Sequence, residues 1–200
     1  VLESELGKSV EEIFSEFHWT PVGVGSVSQV YRARLKSGEE VAVKIQYPNL
    51  DKVVRQDMAM MSRLLSAARW LFPSNDMDRI KALVQGVCER EIDFNEEIAA
   101  FKILSKISSE GTNWRVPRLF LEFSTRRVLT AEFIEGQNLY QFAEVSGEAE
   151  KLEVVKAVNQ FALLCVVEGG LVVVDPHPAN MIVSEGCLLY TSPSPRDATL

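Results

Sequence analysis

Two strand-like runs, Gln29 to Arg34 and Glu40 to Gln46, flank a Lys36-Ser37-Gly38 turn. Val41, Val43 and Ile45 alternate with neighbours of the other face, the period-two pattern of a β-hairpin. Immediately upstream, Pro21-Val22-Gly23-Val24-Gly25-Ser26-Val27-Ser28 places two glycines one residue apart, leading into the first strand. Lys44 sits late in the second strand, 44 − 25 = 19 positions after Gly25. Whatever the rest of the chain builds must fit around a glycine loop, a hairpin and a lysine in that order.

The flanking segments supply helices. Ser9 and Glu12 form a capping box, and the short helix behind it is expected to put Ile13, Phe14 and Phe17 on one face. Asp51 to Phe72 reads as a helix with a stripe of Val54, Met58, Met61, Leu65, Ala68 and Phe72. Pro73-Ser74-Asn75 ends it. A second helical stretch runs from about Asp76 to Ile107, with a break near Glu91. Leu119 to Phe123 and Arg127 to Phe133 are expected to pair as strands across Ser124-Thr125, in a unit that Gly136 closes. Lys151 to Val167 is helical again. Leu171 to Val174 is a short apolar run, followed by a Pro-rich turn and the strand-like Met181-Ile182-Val183. Strands early and helices late predict an α+β chain, a sheet-bearing lobe followed by a helical one.

Composition excludes several classes. At 200 residues and 46% hydrophobic content the chain is long and apolar enough for one domain or two small lobes, and not for disorder. Asp plus Glu exceed Lys plus Arg by 28 to 21, so a net charge of −7 gives no electrostatic reason to bind nucleic acid. Cys88, Cys165 and Cys187 are too few and too scattered for a disulfide framework or a zinc site, which fits a reducing compartment. The most apolar stretch, Phe161 to Val174, is interrupted by Glu168 and Gly169-Gly170 and falls short of the ~20 residues a bilayer span needs. No signal peptide is visible, and Val1 is not a start methionine, so further sequence is expected upstream.

Four motifs carry chemistry, and each has a plain structural alternative. Gly23 and Gly25 let a backbone approach a phosphate closely, or simply make a turn. Lys44, ending Val41-Ala42-Val43-Lys44, is placed like the phosphate-gripping lysine of kinases, or is a solvated strand end. Glu91-Ile92-Asp93-Phe94-Asn95-Glu96-Glu97 offers a carboxylate partner for that lysine, with Glu97 as candidate, or forms a solvated acidic face. Asp175-Pro176-His177-Pro178-Ala179-Asn180 has the aspartate-to-asparagine spacing of a kinase catalytic loop, or is a Pro-stiffened turn with an Asx cap.

In combination these motifs resemble the UbiB, or aarF-domain, family of atypical kinases. Ser28-Gln29-Val30-Tyr31-Arg32-Ala33, Lys44-Ile45-Gln46-Tyr47-Pro48, Arg115-Val116-Pro117-Arg118 and Glu132-Phe133-Ile134-Glu135-Gly136 extend the likeness over Leu6 to about Val183. The resemblance implies a bilobal, protein-kinase-like fold, with residues 1–135 as the nucleotide-facing lobe and 136–186 as the start of the helical lobe. It implies binding of ATP and Mg, phosphoryl transfer or ATP hydrolysis, and support of ubiquinone or other prenylquinone biosynthesis. A membrane surface and prenylquinone-pathway proteins are the implied partners, at a mitochondrial, plastid or bacterial membrane face. Residue by residue, Gly23, Gly25 and Ser26 resemble the nucleotide loop, and Lys44 the nucleotide lysine. Glu97 resembles its helix partner, Glu91 and Asp93 the family's Glu-x-Asp motif, and Glu132 the start of the hinge whose backbone reads adenine. Asp175 resembles the catalytic aspartate, His177 the centre of Pro-His-Pro, and Asn180 the metal asparagine.

The chain also departs from the family. Its nucleotide loop has glycines where the family is alanine-rich. Val173-Val174 replace the family's His-Ala ahead of Asp175, which favours a non-catalytic nucleotide-binding scaffold as the rival function. The metal-binding Asp-Phe-Gly expected within some 20 residues of Asn180 is absent. Cys187 to Asp197 back-translates to a sequence resembling a sequencing-library transposase adapter, with index bases behind it. Residues 187–200 are therefore read as a non-native tail, expected to stay unpacked.

Overall fold

The computed structural model describes residues 1–68, 76–108, 113–172, 178–184, 187–190 and 198–199. Two short helices, α1 (Leu2–Leu6) and α2 (Val10–Ile13), precede β1 (Phe14–Phe17), β2 (Gly23–Val24), β3 (Ser28–Leu35) and β4 (Glu40–Gln46). Then come α3 (Leu50–Ala68), α4 (Asp76–Glu91), α5 (Phe94–Ile107), β5 (Trp114–Arg115) and β6 (Val128–Glu132). The remainder comprises β7 (Gln137–Asn138), α6 (Leu139–Val145), α7 (Glu148–Val167), β8 (Leu171–Val172), β9 (Met181–Ser184), β10 (Cys187–Tyr190) and β11 (Ala198–Thr199).

The hairpin organises the first half. β3 and β4 pair antiparallel from Ser28↔Gln46 to Arg34↔Glu40, and β6 adds to the other edge of β4. With β1 and β2 on β3 this makes a five-stranded antiparallel sheet. One sheet face carries Ala33, Leu35, Val41, Val43 and Val128, buried against Leu2, Val10, Ile13, Phe14 and Phe120. Burial of each large apolar side chain contributes ~1.5–3 kcal/mol, so this two-sided core fixes the register. The opposite face is covered by α5 through Phe94, Ile98 and Phe101 against Leu129.

A second buried cluster lies beyond. Ala157, Phe161 and Cys165 of α7 pack on Met181, Val183 and Leu188 of a small sheet ordered β5-β10-β9-β7. Trp114 meets Phe161 edge-to-face, centroids 4.9 Å apart. On α7, Leu152, Val155, Leu163, Val166 and Val167 are exposed. Among the described residues no helix is long and apolar enough to cross a membrane.

Several expectations are corrected. The helix after Ser9 is a single turn; Phe14–Phe17 is a strand instead. Its pairing with β3 and the stacking of Phe17 on Tyr31, centroids 5.6 Å apart, outweigh the local helical signal. Leu119 to Phe123 is not a strand. Only Leu119 bridges Ala131, and Leu121–Phe123 forms a 3-10 turn, because Ser124 Oγ and Thr130 Oγ1 donate to the Phe120 and Phe123 carbonyls. The helical stretch from Asp76 breaks at Ile92-Asp93, as expected near Glu91. The end of the Asp51 helix at Phe72 and the Pro73-Ser74-Asn75 stop lie outside the described residues. Residues 187–190 are packed rather than loose: β10 pairs with both β9 and β5, and Leu188 is buried. Cys-Leu-Leu-Tyr is an apolar run placed beside the edge of β9, and such a run completes a hairpin whatever its origin.

Candidate functional site

Strand alternation sets which residues of the hairpin look toward α5. Val41 and Val43 face the core beneath α1 and α2, so Ala42, Lys44 and Gln46 face the other way. Lys44 lies opposite Val30 in β3 and Leu129 in β6. The helix opposite begins at Asp93, whose Oδ1 accepts the Asn95 amide at 3.0 Å as an N-cap. With the start fixed there, Glu97 falls within the first turn on the buried side. Its Oε2 lies 2.6 Å from Lys44 Nζ. Lys44 Nζ also sits 5.0 Å from the centre of the Phe94 ring.

The two partners differ in burial. The Glu97 side chain is 1% exposed and the Lys44 side chain 20%. A carboxylate so deeply buried requires a cation, whereas the ammonium still reaches solvent. The arrangement holds the ammonium against a buried carboxylate while part of the lysine side chain stays open to solvent.

The glycine loop is the β2–β3 turn. Gly23 pairs with Val30, Val24 with Gln29, and the Gly25 amide donates to the Ser28 carbonyl at 2.9 Å. Tyr47, just past β4, ties the loop down by donating its hydroxyl to the Gly25 carbonyl at 3.2 Å. Neither glycine has a positive φ. A Cβ at Gly25 would stand 3.5 Å from the Ser28 carbonyl oxygen, an ordinary contact. Neither backbone shape nor crowding therefore bars alanine at Gly25: the turn accommodates a methyl group. Gly25→Ala should change stability by less than about 1 kcal/mol, read as an almost unshifted denaturation midpoint. Ser26 is exposed at the tip.

The segment expected to serve as the hinge follows β6. The Glu132 amide donates to the Arg118 carbonyl and the Phe133 amide to the Glu40 carbonyl, so the chain leaves the sheet stitched on both sides. The Glu132 carboxylate turns outward to Arg115, with contacts of 3.1 to 3.3 Å, and accepts the Arg118 amide at 3.2 Å. Partial burial pushes its carboxyl up, but these donors and the two arginine charges outweigh it and hold it below the usual range. A depressed carboxylate contributes stability that is present above the unfolded-state value, ~4.3, and is lost as pH falls through the folded value. Arg115→Ala should therefore destabilise by under about 1 kcal/mol near neutrality, with the gap to wild type closing below about pH 4. Urea melts across pH read this. Arg32 braces the same hinge: its guanidinium pairs with Glu40 and Glu135 and lies 4.5 Å above the Phe133 ring.

Asn180 closes the 3-10 turn Pro178–Asn180 that feeds β9. Asp175 and His177, like Val173, lie outside the described residues. Glu91 ends α4, and Asp93 pairs with Arg126 at 3.3 Å besides capping α5. In the sequence Gly136 shows only as the end of a strand unit. A Cβ there would stand 2.4 Å from Ile182 Cγ2 and 2.6 Å from the Val183 carbonyl oxygen, so the hinge crosses β9 with no room for a side chain. The signal was a lone glycine closing a strand unit, which by itself also reads as a turn.

A family model described as the ABC1 atypical kinase-like domain matches residues 1–190. The AarF domain-containing protein kinase 1 of Xenopus tropicalis is 32% identical over 92% of this chain and 36% of its own length. The chain thus spans about a third of the curated relatives it matches. The Rv3197–erythromycin complex from Mycobacterium tuberculosis superposes with a TM-score of 0.89 at 28% identity, covering 100% of this chain and 50% of that one. The Rio2 kinase–ADP/Mg2+–phosphoaspartate complex from Chaetomium thermophilum reaches 0.56 at 14% identity, covering 93% of this chain and 49% of that one, a likeness of fold. An antiparallel sheet with its lysine paired to a helix glutamate, the start of a helical lobe and a family model matched from end to end of both leave one assignment: the chain has a kinase-like fold and belongs to the ABC1/AarF family of atypical kinase-like proteins.

Proposed function

We propose that the cleft bounded by the β2–β3 turn, Lys44 and the hinge at Glu132 binds the magnesium complex of ATP. The full-length protein then hydrolyses ATP or transfers its terminal phosphoryl group to a small molecule, in support of prenylquinone biosynthesis. The observation that carries this reading is the 2.6 Å contact between Lys44 and the buried Glu97. A lysine held by a helix carboxylate and still open to solvent is the arrangement that neutralises and orients nucleotide phosphates. The hinge offers the backbone that would meet adenine, and Val30 and Ala42 are small side chains on the same sheet face.

The donor set agrees with magnesium only in part. Asn180, half-buried behind its turn, supplies a neutral oxygen of the kind this ion accepts. No group of three or more His, Cys, Asp or Glu suited to a metal occurs among the described residues. Asn180 would hold the ion, which when bound offsets phosphate charge, and Asp175 would orient the acceptor as the catalytic aspartate. On this reading residues 1–135 form the nucleotide-facing lobe, 136–186 begin the helical lobe, and 187–200 stand in place of native sequence carrying a further metal aspartate. Reading the coding DNA past the codon for Gly186 tests that last point. Val173, at the position of the family's histidine, favours the second reading, a nucleotide-binding scaffold without turnover. Released phosphate, measured on the full-length protein with Mg-ATP, separates the two. Turnover that Asp175→Asn removes supports the enzyme; binding without turnover supports the scaffold; neither binding nor turnover contradicts both.

A further inference from the structure

We propose that Gln46 is a positioning residue that bolts the Glu97 helix to the strand bearing Lys44, so that the ion pair stands assembled before nucleotide arrives. The proposal rests on the nucleotide-site reading above. Gln46 follows Lys44 by two residues and shares its face of β4. The residue is 1% exposed, and its Nε2 donates to the Ile92 carbonyl at 2.8 Å. Ile92, 5% exposed, occupies the break between α4 and α5, where neither helix continues. The side-chain Oε1 of Gln46 has no partner among the described residues.

A buried amide with one end unsatisfied costs free energy that an apolar chain of the same length avoids. Core filling therefore does not account for a glutamine here; the bond to Ile92 does. Backbone bonds close the arrangement. The Gln46 amide donates to the Arg127 carbonyl at 3.0 Å, and the Phe94 amide donates to the Arg126 carbonyl at 2.9 Å. Strand, turn and helix start thus form one closed circuit, to which the Arg126 guanidinium adds Asp93 at 3.3 Å. Phe94 to Glu97 is less than one helical turn, so a fixed start fixes Glu97. A helix held by its lysine contact alone could swing away when the cleft is empty. Here the break is anchored two residues along the strand from Lys44.

Amide hydrogen exchange on the full-length protein tests this, because it reads the helix start whether or not nucleotide binds. In the wild type, the Glu97 and Ile98 amides should exchange equally slowly with and without Mg-ATP. Gln46→Met fills the same space without the donor. It should speed those amides at least ~tenfold relative to Leu104–Ile107 of the same helix, and weaken Mg-ATP binding ~tenfold with Lys44 and Glu97 unchanged. Wild-type amides that become protected only on adding Mg-ATP would overturn the proposal. So would unchanged exchange in Gln46→Met, or faster exchange with unaltered affinity. If Gln46→Met fails to fold, the wild-type comparison decides alone. A wild type that binds no Mg-ATP refutes the nucleotide reading, while the Gln46→Met exchange comparison still decides whether the bolt exists.

Discussion

Lys44→Ala should destabilise the protein by about 3–5 kcal/mol, and Glu97→Gln by only about 1–2 kcal/mol. The asymmetry follows from burial. Without the lysine, a carboxylate that is 1% exposed loses the cation 2.6 Å away. Without the negative charge, a lysine that is 20% exposed can turn toward water, and a glutamine keeps a hydrogen-bonding oxygen on the helix. Replacing both, as Lys44→Met with Glu97→Leu, should recover most of the stability, since a buried pair can be exchanged for apolar packing. It should recover none of the affinity for nucleotide. Denaturant melts of the four proteins form a double-mutant cycle. Equal costs for the two single changes would show that the pair is shared and solvated rather than buried on the glutamate side.

Gly136→Ala should cost about 1–3 kcal/mol, a melting-point loss of several degrees in a chain of this size. The added methyl would meet Ile182 Cγ2 and the Val183 carbonyl at distances no real contact allows, and the carbonyl is backbone, which cannot step aside. Either the hinge lifts from β9 or β9 moves, and Asn180 precedes β9 directly. Gly86→Ala is the control. Gly86 lies within α4 with nothing inside 4 Å of an added Cβ, so alanine should stabilise there, by up to about 1 kcal/mol. Opposite signs for the two substitutions, read by thermal melting, support the close crossing; a neutral Gly136→Ala would contradict it.

The hairpin and the break near Glu91 were legible because each rests on a local rule, whereas the pairing of Lys44 with Glu97, 53 residues apart, was legible only through the family resemblance. Alternation identified β3 and β4, but the acidic segment around Glu91 to Glu97 by itself also reads as a solvated face, and only the folded start of α5 buries Glu97. What was misread depended on distant partners. Phe14–Phe17 has helical spacing, but an open edge of β3 makes it a strand. Leu119–Phe123 has strand composition, but hydroxyl bonds from Ser124 and Thr130 curl it. α6 was missed although Asn138 and Gln141 cap it reciprocally, because the segment is short and only Leu139 and Phe142 pack, partly buried, against the second cluster. The close crossing at Gly136 cannot be read from neighbours in sequence at all, since its contacts come from residues 182 to 184.

Isothermal titration of Mg-ATP into the full-length protein is the measurement that bears most directly on the site. Wild type should bind one nucleotide per chain, with affinity that falls when EDTA removes the metal. Lys44→Met with Glu97→Leu, chosen because it should stay folded, should show no saturable binding. Saturable binding of equal affinity in the double variant, or none in the folded wild type, would contradict a nucleotide site built on Lys44 and Glu97.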